Sequence, residues 1–178
     1  AGYGFMAEDT EFVKLVENEG ISFVGPNSRV IQQAGSKDEA KQLARSLNVS
    51  VTPGEDRIAA LTLLKTAGGS PGEYFRKQIK KHDLIVDENW EALEPLDQAE
   101  IILQASQAKH VDLFPISALQ EETLNTVESL WQKFPGKRIR FKHVSGGGGK
   151  GQRVVSSIDE VADAVMSVLI ESKAVGVG

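Results

Sequence analysis

The chain has 178 residues, 40% hydrophobic and 25% charged, which is enough apolar material to bury a core in one domain or two small ones. A formal net charge of -5 argues against a protein built to sit on nucleic acid or an anionic membrane, since both call for a basic surface. Without cysteine there are no disulfides and no thiol chemistry; without an apolar run of spanning length or a signal-peptide layout, the chain reads as cytoplasmic, or as a matrix protein in a eukaryote.

The chain opens on Ala1-Gly2-Tyr3-Gly4-Phe5, which reads as the tail of a strand-loop unit entered midway, and stops at Val175-Gly176-Val177-Gly178 with no closing element. On this reading it is an excised internal segment. Residues 9–19 place Phe12, Val13, Leu15 and Val16 on one helical face, with Gly20 set to end the helix. Ile21-Ser22-Phe23-Val24 predicts a short strand stopped by Gly25-Pro26. Asn27 or Ser28 is placed to cap a helix over 29–34, and Ser36-Lys37-Asp38-Glu39 matches a capping box opening a helix to about Leu47. Val49-Ser50-Val51 predicts a second strand before Pro53-Gly54. Alternation of this kind is the pattern of an α/β layered domain with a mostly parallel sheet.

From Glu55 the pattern changes. Residues 57–66, 73–81 and 97–107 predict helices, with Gly68-Gly69-Ser70-Pro71-Gly72 as a loop between the first two. The basic run Lys80-Lys81-His82 reads as a solvated helix end, and His82, His110 and His143 share no metal-like spacing. A helix over 117–134 follows, stopped by Pro135-Gly136. Residues 137–144 then alternate as a strand, with Arg138, Arg140 and Lys142 on one face and Ile139 and Phe141 on the other. Beyond the glycine run come a second strand, Arg153-Val154-Val155, and the capping box Ser157-Ile158-Asp159-Glu160. This box opens a helix with Val161, Ala164, Val165, Val168 and Leu169 inward.

Between those strands lie Gly146, Gly147, Gly148, Gly149, Lys150 and Gly151. Each glycine costs roughly 0.5–1 kcal/mol more to order than alanine, and offers in return close backbone approach and freely aimed N–H donors. Such donors form a nest for an anion, so the stretch predicts a phosphate site, with a plain hairpin tip as the alternative. It is not a P-loop, because Lys150 is followed by Gly-Gln and a strand where Ser or Thr and a helix are required. A Rossmann turn likewise needs a helix next, and a kinase loop carries its lysine on a later strand.

A lysine, a glycine-rich loop between antiparallel strands and then a helix resemble the ATP-grasp fold, and biotin carboxylases in particular. Phe141-Lys142-His143-Val144-Ser145-Gly146-Gly147-Gly148-Gly149-Lys150-Gly151-Gln152-Arg153-Val154-Val155 is similar to that family's K-A-x-x-G-G-G-G-R/K-G-M-R-V-V. Gly2-Tyr3-Gly4-Phe5-Met6-Ala7-Glu8-Asp9 resembles its G-Y-G-F-L-S-E-N, and Phe23-Val24-Gly25-Pro26 with Gly35-Ser36-Lys37 its F-I-G-P and G-D-K. Val49-Ser50-Val51-Thr52-Pro53-Gly54 is similar to V-P-V-V-P-G. The chain departs from the family at Ser36, where Asp is usual, at Gln152, where Met is usual, and in the long stretch between Gly54 and the helix before Arg138.

The resemblance implies a partial Rossmann-like pre-ATP-grasp layer, an α/β arrangement, followed by part of the ATP-grasp small (lid) subdomain. Residues 1–54 would end the biotin carboxylase N-terminal subdomain, 55–116 would be a mainly helical insert of unassigned role, and 117–178 a partial lid subdomain. It further implies that Lys142 and Lys37 contact the nucleotide beside Gly146, Gly147, Gly148, Gly149, Lys150 and Gly151. Lys37 reads otherwise as a solvated first-turn lysine, and Lys150 either reaches phosphate or is solvated. Tyr3 and Glu8 match the edge of the family's biotin and bicarbonate region, or are a packed tyrosine and a surface glutamate.

The implied chemistry is ATP-dependent formation of carboxyphosphate from bicarbonate and carboxylation of biotin, with Mg2+ on the phosphates. The biotin carrier domain and carboxyltransferase of a biotin-dependent acyl-CoA or pyruvate carboxylase would be partners, and oligomerisation is compatible with it. The family's metal-binding glutamates and general base match nothing here, so the segment itself is expected to hold no catalytic or metal-binding residue and to be inactive alone. Two rival readings are a carbamoyl-phosphate-synthetase-like ligase and a non-catalytic relative serving as a subunit-docking module.

Overall fold

The structure is a computed structural model, and it describes residue 4 and residues 6–35, 37–142 and 151–174. The chain divides into two compact units, Ala1–Pro53 and Gly54–Gly178.

Helices carry the first unit: α1 (Thr10–Asn18), α2 (Ser28–Gly35) and α3 (Lys37–Ser46). Asp9 caps α1 by accepting the Phe12 N–H at 2.7 Å, satisfying one of the donors a helix start leaves free. The far end closes as a Schellman turn, with the Gly20 N–H on Glu17 O and the Ile21 N–H on Val16 O, and Gly20 at φ 70°. Asn27 caps α2 through the Val30 N–H, and the Ser28 hydroxyl donates to Glu17, tying α2 to α1. Asn48 adopts φ 56° to end α3, a conformation asparagine tolerates better than most residues.

Neither strand expected in this unit forms a ladder among the described residues, and no parallel sheet is present there. A strand exists by virtue of its hydrogen-bonded neighbour, and the apolar side chains of Ile21, Val24 and Val49 are more than half exposed. Leu15 also departs from expectation: Val13 is fully buried whereas Leu15 lies outward, on the flank of the stripe set by Phe12, Val13 and Val16. The Ser36 capping box lies outside the described residues.

The second unit contains α4 (Ile58–Ala67), α5 (Pro71–His82), α6 (Pro95–Ala108) and α7 (Ile116–Lys133), then β1 (Ile139–Lys142), β2 (Gln152–Val155) and α8 (Val161–Ala174). The expected glycine loop is shorter than its sequence suggested. Pro71 takes the first turn of α5, where its missing N–H costs nothing and its fixed φ suits a helix.

Two apolar clusters form. The first gathers Leu63, Phe75, Trp90, Ala99 and Ile102 from α4, α5, α6 and the 3-10 turn Trp90–Ala92, with Phe75 edge-on to Trp90 at 6.5 Å. Its buried hydroxyls are satisfied within their own helices, Thr62 donating to Ile58 O and Ser106 to Leu103 O. Arg57 closes one end, donating to Glu100 at 2.6 Å and Asp97 at 2.5 Å. The second cluster joins Val127 of α7, Val155 of β2 and Val161 and Ala164 of α8, with Trp131, Ile139 and Phe141 packed against it. Trp131 also donates its indole N–H to Lys137 O at 2.7 Å, fixing how the chain leaves α7 and enters β1.

The capping box expected before α8 forms only on the glutamate side, for Ser157 makes no side-chain cap bond. The first turn, Ile158–Glu160, is 3-10, and Glu160 reaches back to the Ser156 N–H at 2.7 Å instead of to that of Ser157. Tighter winding brings the glutamate one residue further back along the chain. Among the described residues, no helix is long and apolar enough to cross a membrane.

Candidate nucleotide-phosphate site

Strands β1 and β2 pair antiparallel, with Ile139 opposite Val155, Arg140 opposite Val154, Phe141 opposite Arg153 and Lys142 opposite Gln152. Side chains alternate across a strand, so this register divides the hairpin into two faces. Ile139, Phe141 and Val155 lie inward on the second apolar cluster. Arg140 and Lys142 lie outward and exposed, on the face expected from the sequence.

Lys142 is the last residue of β1 and Gln152 the first of β2, so the pair stands at the loop end of the hairpin, where the glycine run joins it. The Lys142 ammonium has no ion-pair partner among the described residues. Arg140 donates to the Gln152 side-chain oxygen at 3.1 Å, so a residue that departs from the expected methionine holds a neighbouring guanidinium in place.

Of the other residues singled out in the sequence, Gly146, Gly147, Gly148, Gly149 and Lys150 lie outside the described residues, as do Tyr3 and His143. Gly151 is described: it is buried, has φ 64°, and donates its N–H to Glu171 Oε2 at 3.0 Å. That amide is therefore engaged within the protein rather than presented to a phosphate. Lys37 is the first residue of α3 and belongs to the first unit; its side chain is not among those described. Glu8 is exposed, and Lys80, Lys81 and His82 form the last turn of α5, where the helix dipole favours cations.

Sequence reasoning missed Glu171. It stands on α8 and accepts from both Arg153 Nη2 and, at 3.3 Å, Arg153 Nη1, in addition to the Gly151 amide. Arg153 holds the Glu171 carboxyl below its ordinary value, and the Gly151 amide adds to the effect. The only signal available beforehand was an acidic residue in the last turn of a helix, a position the macrodipole disfavours. Among the described residues, no group of three His, Asp or Glu side chains is placed to hold a metal ion.

The family model described as biotin carboxylase, N-terminal domain, matches residues 1–31. The chain is 29% identical over 130 residues to the 2-oxoglutarate carboxylase small subunit of Hydrogenobacter thermophilus, covering 62% of this chain and 28% of that one. It is 34% identical over 99 residues to the biotin carboxylase of Pseudomonas aeruginosa, covering 47% of this chain and 22% of the other. Over 57 residues it is 44% identical to the mitochondrial propionyl-CoA carboxylase alpha chain of Sus scrofa, 32% of this chain and 8% of the relative. These matches support a biotin carboxylase segment, and the chain spans less than a third of the length of each relative.

Proposed function

We propose that this chain supplies phosphate contacts for ATP in the biotin carboxylase component of a biotin-dependent carboxylase. The observation that carries the reading is the hairpin register: it puts an exposed lysine, Lys142, at one end of a glycine run and a buried, left-handed glycine, Gly151, at the other. An ammonium beside freely aimed backbone donors suits a polyphosphate, and a charge-assisted bond of this kind contributes about 1.5–3 kcal/mol. Gly146, Gly147, Gly148, Gly149 and Lys150 are assigned to the phosphate contacts, and Lys37, in the first unit, is assigned a nucleotide contact on the family resemblance alone. Gly151 contributes as the loop's anchor.

In the full enzyme the reaction is ATP-dependent carboxylation of biotin with bicarbonate, with Mg2+ balancing phosphate charge and a biotin carrier and carboxyltransferase as partners. Residues 1–54 then belong to the N-terminal subdomain, 117–178 to the ATP-grasp lid, and 55–116 to a helical insert. The boundary at Pro53 favours the first division, while residues 54–178 form one compact unit in which the helical stretch has its own apolar cluster.

Calorimetric titration of ATP into the chain tests the site. Lys142→Ala is expected to weaken binding by about 1.5–3 kcal/mol, roughly ten- to a hundredfold. Lys150→Ala should cost less, because a lysine in a loop is more solvated. Equal affinities for the wild type and Lys142→Ala would remove the nucleotide assignment.

A further inference from the structure

The exposed surface of the helical stretch carries two patches of opposite sign. Lys77, Lys80 and Lys81 are exposed and stand three or four residues apart on α5, so they share one face, where like charges repel. None of the three makes an ion pair among the described residues. The macrodipole favours cations in the last turn, which accounts for Lys80 and Lys81 but not for Lys77 a turn earlier. Asp83, which follows them, is taken by Lys109 at 3.4 Å, and this brings the exposed Lys109 and His110 to the same corner. From there the chain turns acidic: residues 83–108 hold seven carboxylates and no lysine or arginine. Arg57 takes Asp97 and Glu100, and Arg76 takes Glu91, while Glu88 and Glu94 are exposed without a partner among the described residues. The Arg76–Glu91 pair, at 2.8 and 2.7 Å, seats the acidic run against α5 one turn before Lys80. Gln98 holds the same run to α6 through Glu91 O and Leu93 O. Between the patches lies Ile85, 82% exposed, held outward because Leu84 and Val86 on either side pack into the first apolar cluster.

We propose that this face docks a second copy of the chain, with Lys77, Lys80 and Lys81 of each copy against Glu88 and Glu94 of the other and Ile85 at the centre. Adjoining patches of opposite sign on one surface are self-complementary. A two-fold rotation matches both at once and closes the assembly as a dimer. An apolar residue inside a polar rim is the usual anatomy of such a contact. Other occupants fit less of the surface. Nucleic acid or an anionic membrane would meet the lysines but be repelled by the acidic run beside them and by the net charge of -5. An acidic peptide would leave Glu88 and Glu94 unmatched. The face is small, so the association is weak, and it is sensitive to salt because exposed charges are screened beyond about 8 Å at physiological ionic strength. The inference stands on the helical stretch alone and does not depend on the nucleotide reading.

Sedimentation velocity on the whole chain, over a concentration series at low and high salt, tests the proposal. The wild type is expected to show a monomer–dimer equilibrium with Kd on the order of 10–100 µM at low salt, weakened about tenfold or more near 1 M salt. Lys77→Glu with Lys81→Glu makes both patches acidic, and Glu88→Lys with Glu94→Lys makes both basic. Each double variant alone should stay monomeric, and an equimolar mixture of the two should form a heterodimer. Circular dichroism of each variant confirms the fold. Ile85→Ser, a neutral change at an exposed position, should weaken the dimer about threefold to tenfold while leaving its salt dependence in place, and it serves if a charge-reversed variant does not fold. A wild type that remains monomeric at low salt would overturn the proposal. So would a dimer indifferent to both charge reversals and to Ile85→Ser, which would lie on another face, or a mixture of the two variants that fails to associate. A monomeric wild type that instead binds a glutamate-rich peptide through Lys77 and Lys81 would assign the lysines to a different partner and overturn the self-docking.

Discussion

Two parts of the second unit bury apolar surface in different ways. In residues 57–114, Leu63, Phe75 and Ile102 are fully buried, aromatic rings meet edge to face, and Arg57 and Arg76 pair with Asp97, Glu100 and Glu91 at the rim. In residues 127–171, Val127, Val155 and Val161 make a smaller cluster under a two-stranded hairpin whose other face carries Arg140 and Lys142 outward. The helical part commits these side chains to its own stability. The hairpin places an exposed lysine, without an ion-pair partner among the described residues, where the glycine run joins the strand. Phosphate binding is therefore better sought at the hairpin than among the helices.

The contrast is broken most directly at Phe75. Phe75→Ala should destabilise the chain by about 3–5 kcal/mol, the usual cost of emptying a buried aromatic site, as read from urea unfolding. ATP affinity of the folded fraction should be unchanged; a parallel loss would mean that the two clusters are energetically one. Lys142→Ala should show the reverse pattern, with weakened ATP binding and an unfolding midpoint indistinguishable from wild type. A stability loss there would place Lys142 among the packing residues.

Smaller effects sharpen the hairpin side. Trp131→Phe keeps most of the ring but removes the N–H donated to Lys137 O, and should cost about 0.5–1.5 kcal/mol in chemical unfolding. The smallest expected effect concerns pH. The Glu91 carboxyl beside Arg76, and Glu171 beside Arg153, both lie below the ordinary value of 4.5 in the folded chain. A depressed folded value means that each contributes stability fully above the unfolded value and loses it as pH falls through the folded one. The melting-temperature gaps between wild type and Glu91→Gln, and between wild type and Glu171→Gln, should therefore be present at neutral pH and close as pH drops below 4.5. A gap that persists in acid would assign those effects to packing instead of charge.

Local grammar decided much of this chain before any contact was considered. Asn27, one of the two caps expected for α2, capped it, Gly20 ended α1, and the apolar periods of residues 57–66, 97–107 and 117–134 became α4, α6 and α7. These signals lie within one or two turns of the residues they govern, so they can be read along the sequence. The alternation of Ile139, Arg140, Phe141 and Lys142 likewise predicted which side of the hairpin would carry the cations, because strand periodicity is local too. Residues 21–24 and 49–51 had equally good strand composition, yet a ladder requires a neighbour, and composition cannot supply one. The shift of the Glu160 reach-back from Ser157 to Ser156 followed from the winding of one turn, which side-chain types alone do not specify. The bond between Gly151 and Glu171 crosses 20 residues and joins a loop end to the far end of a helix. No spacing rule connects two such positions; only the packing of α8 against β1 and β2 brings them within hydrogen-bonding distance.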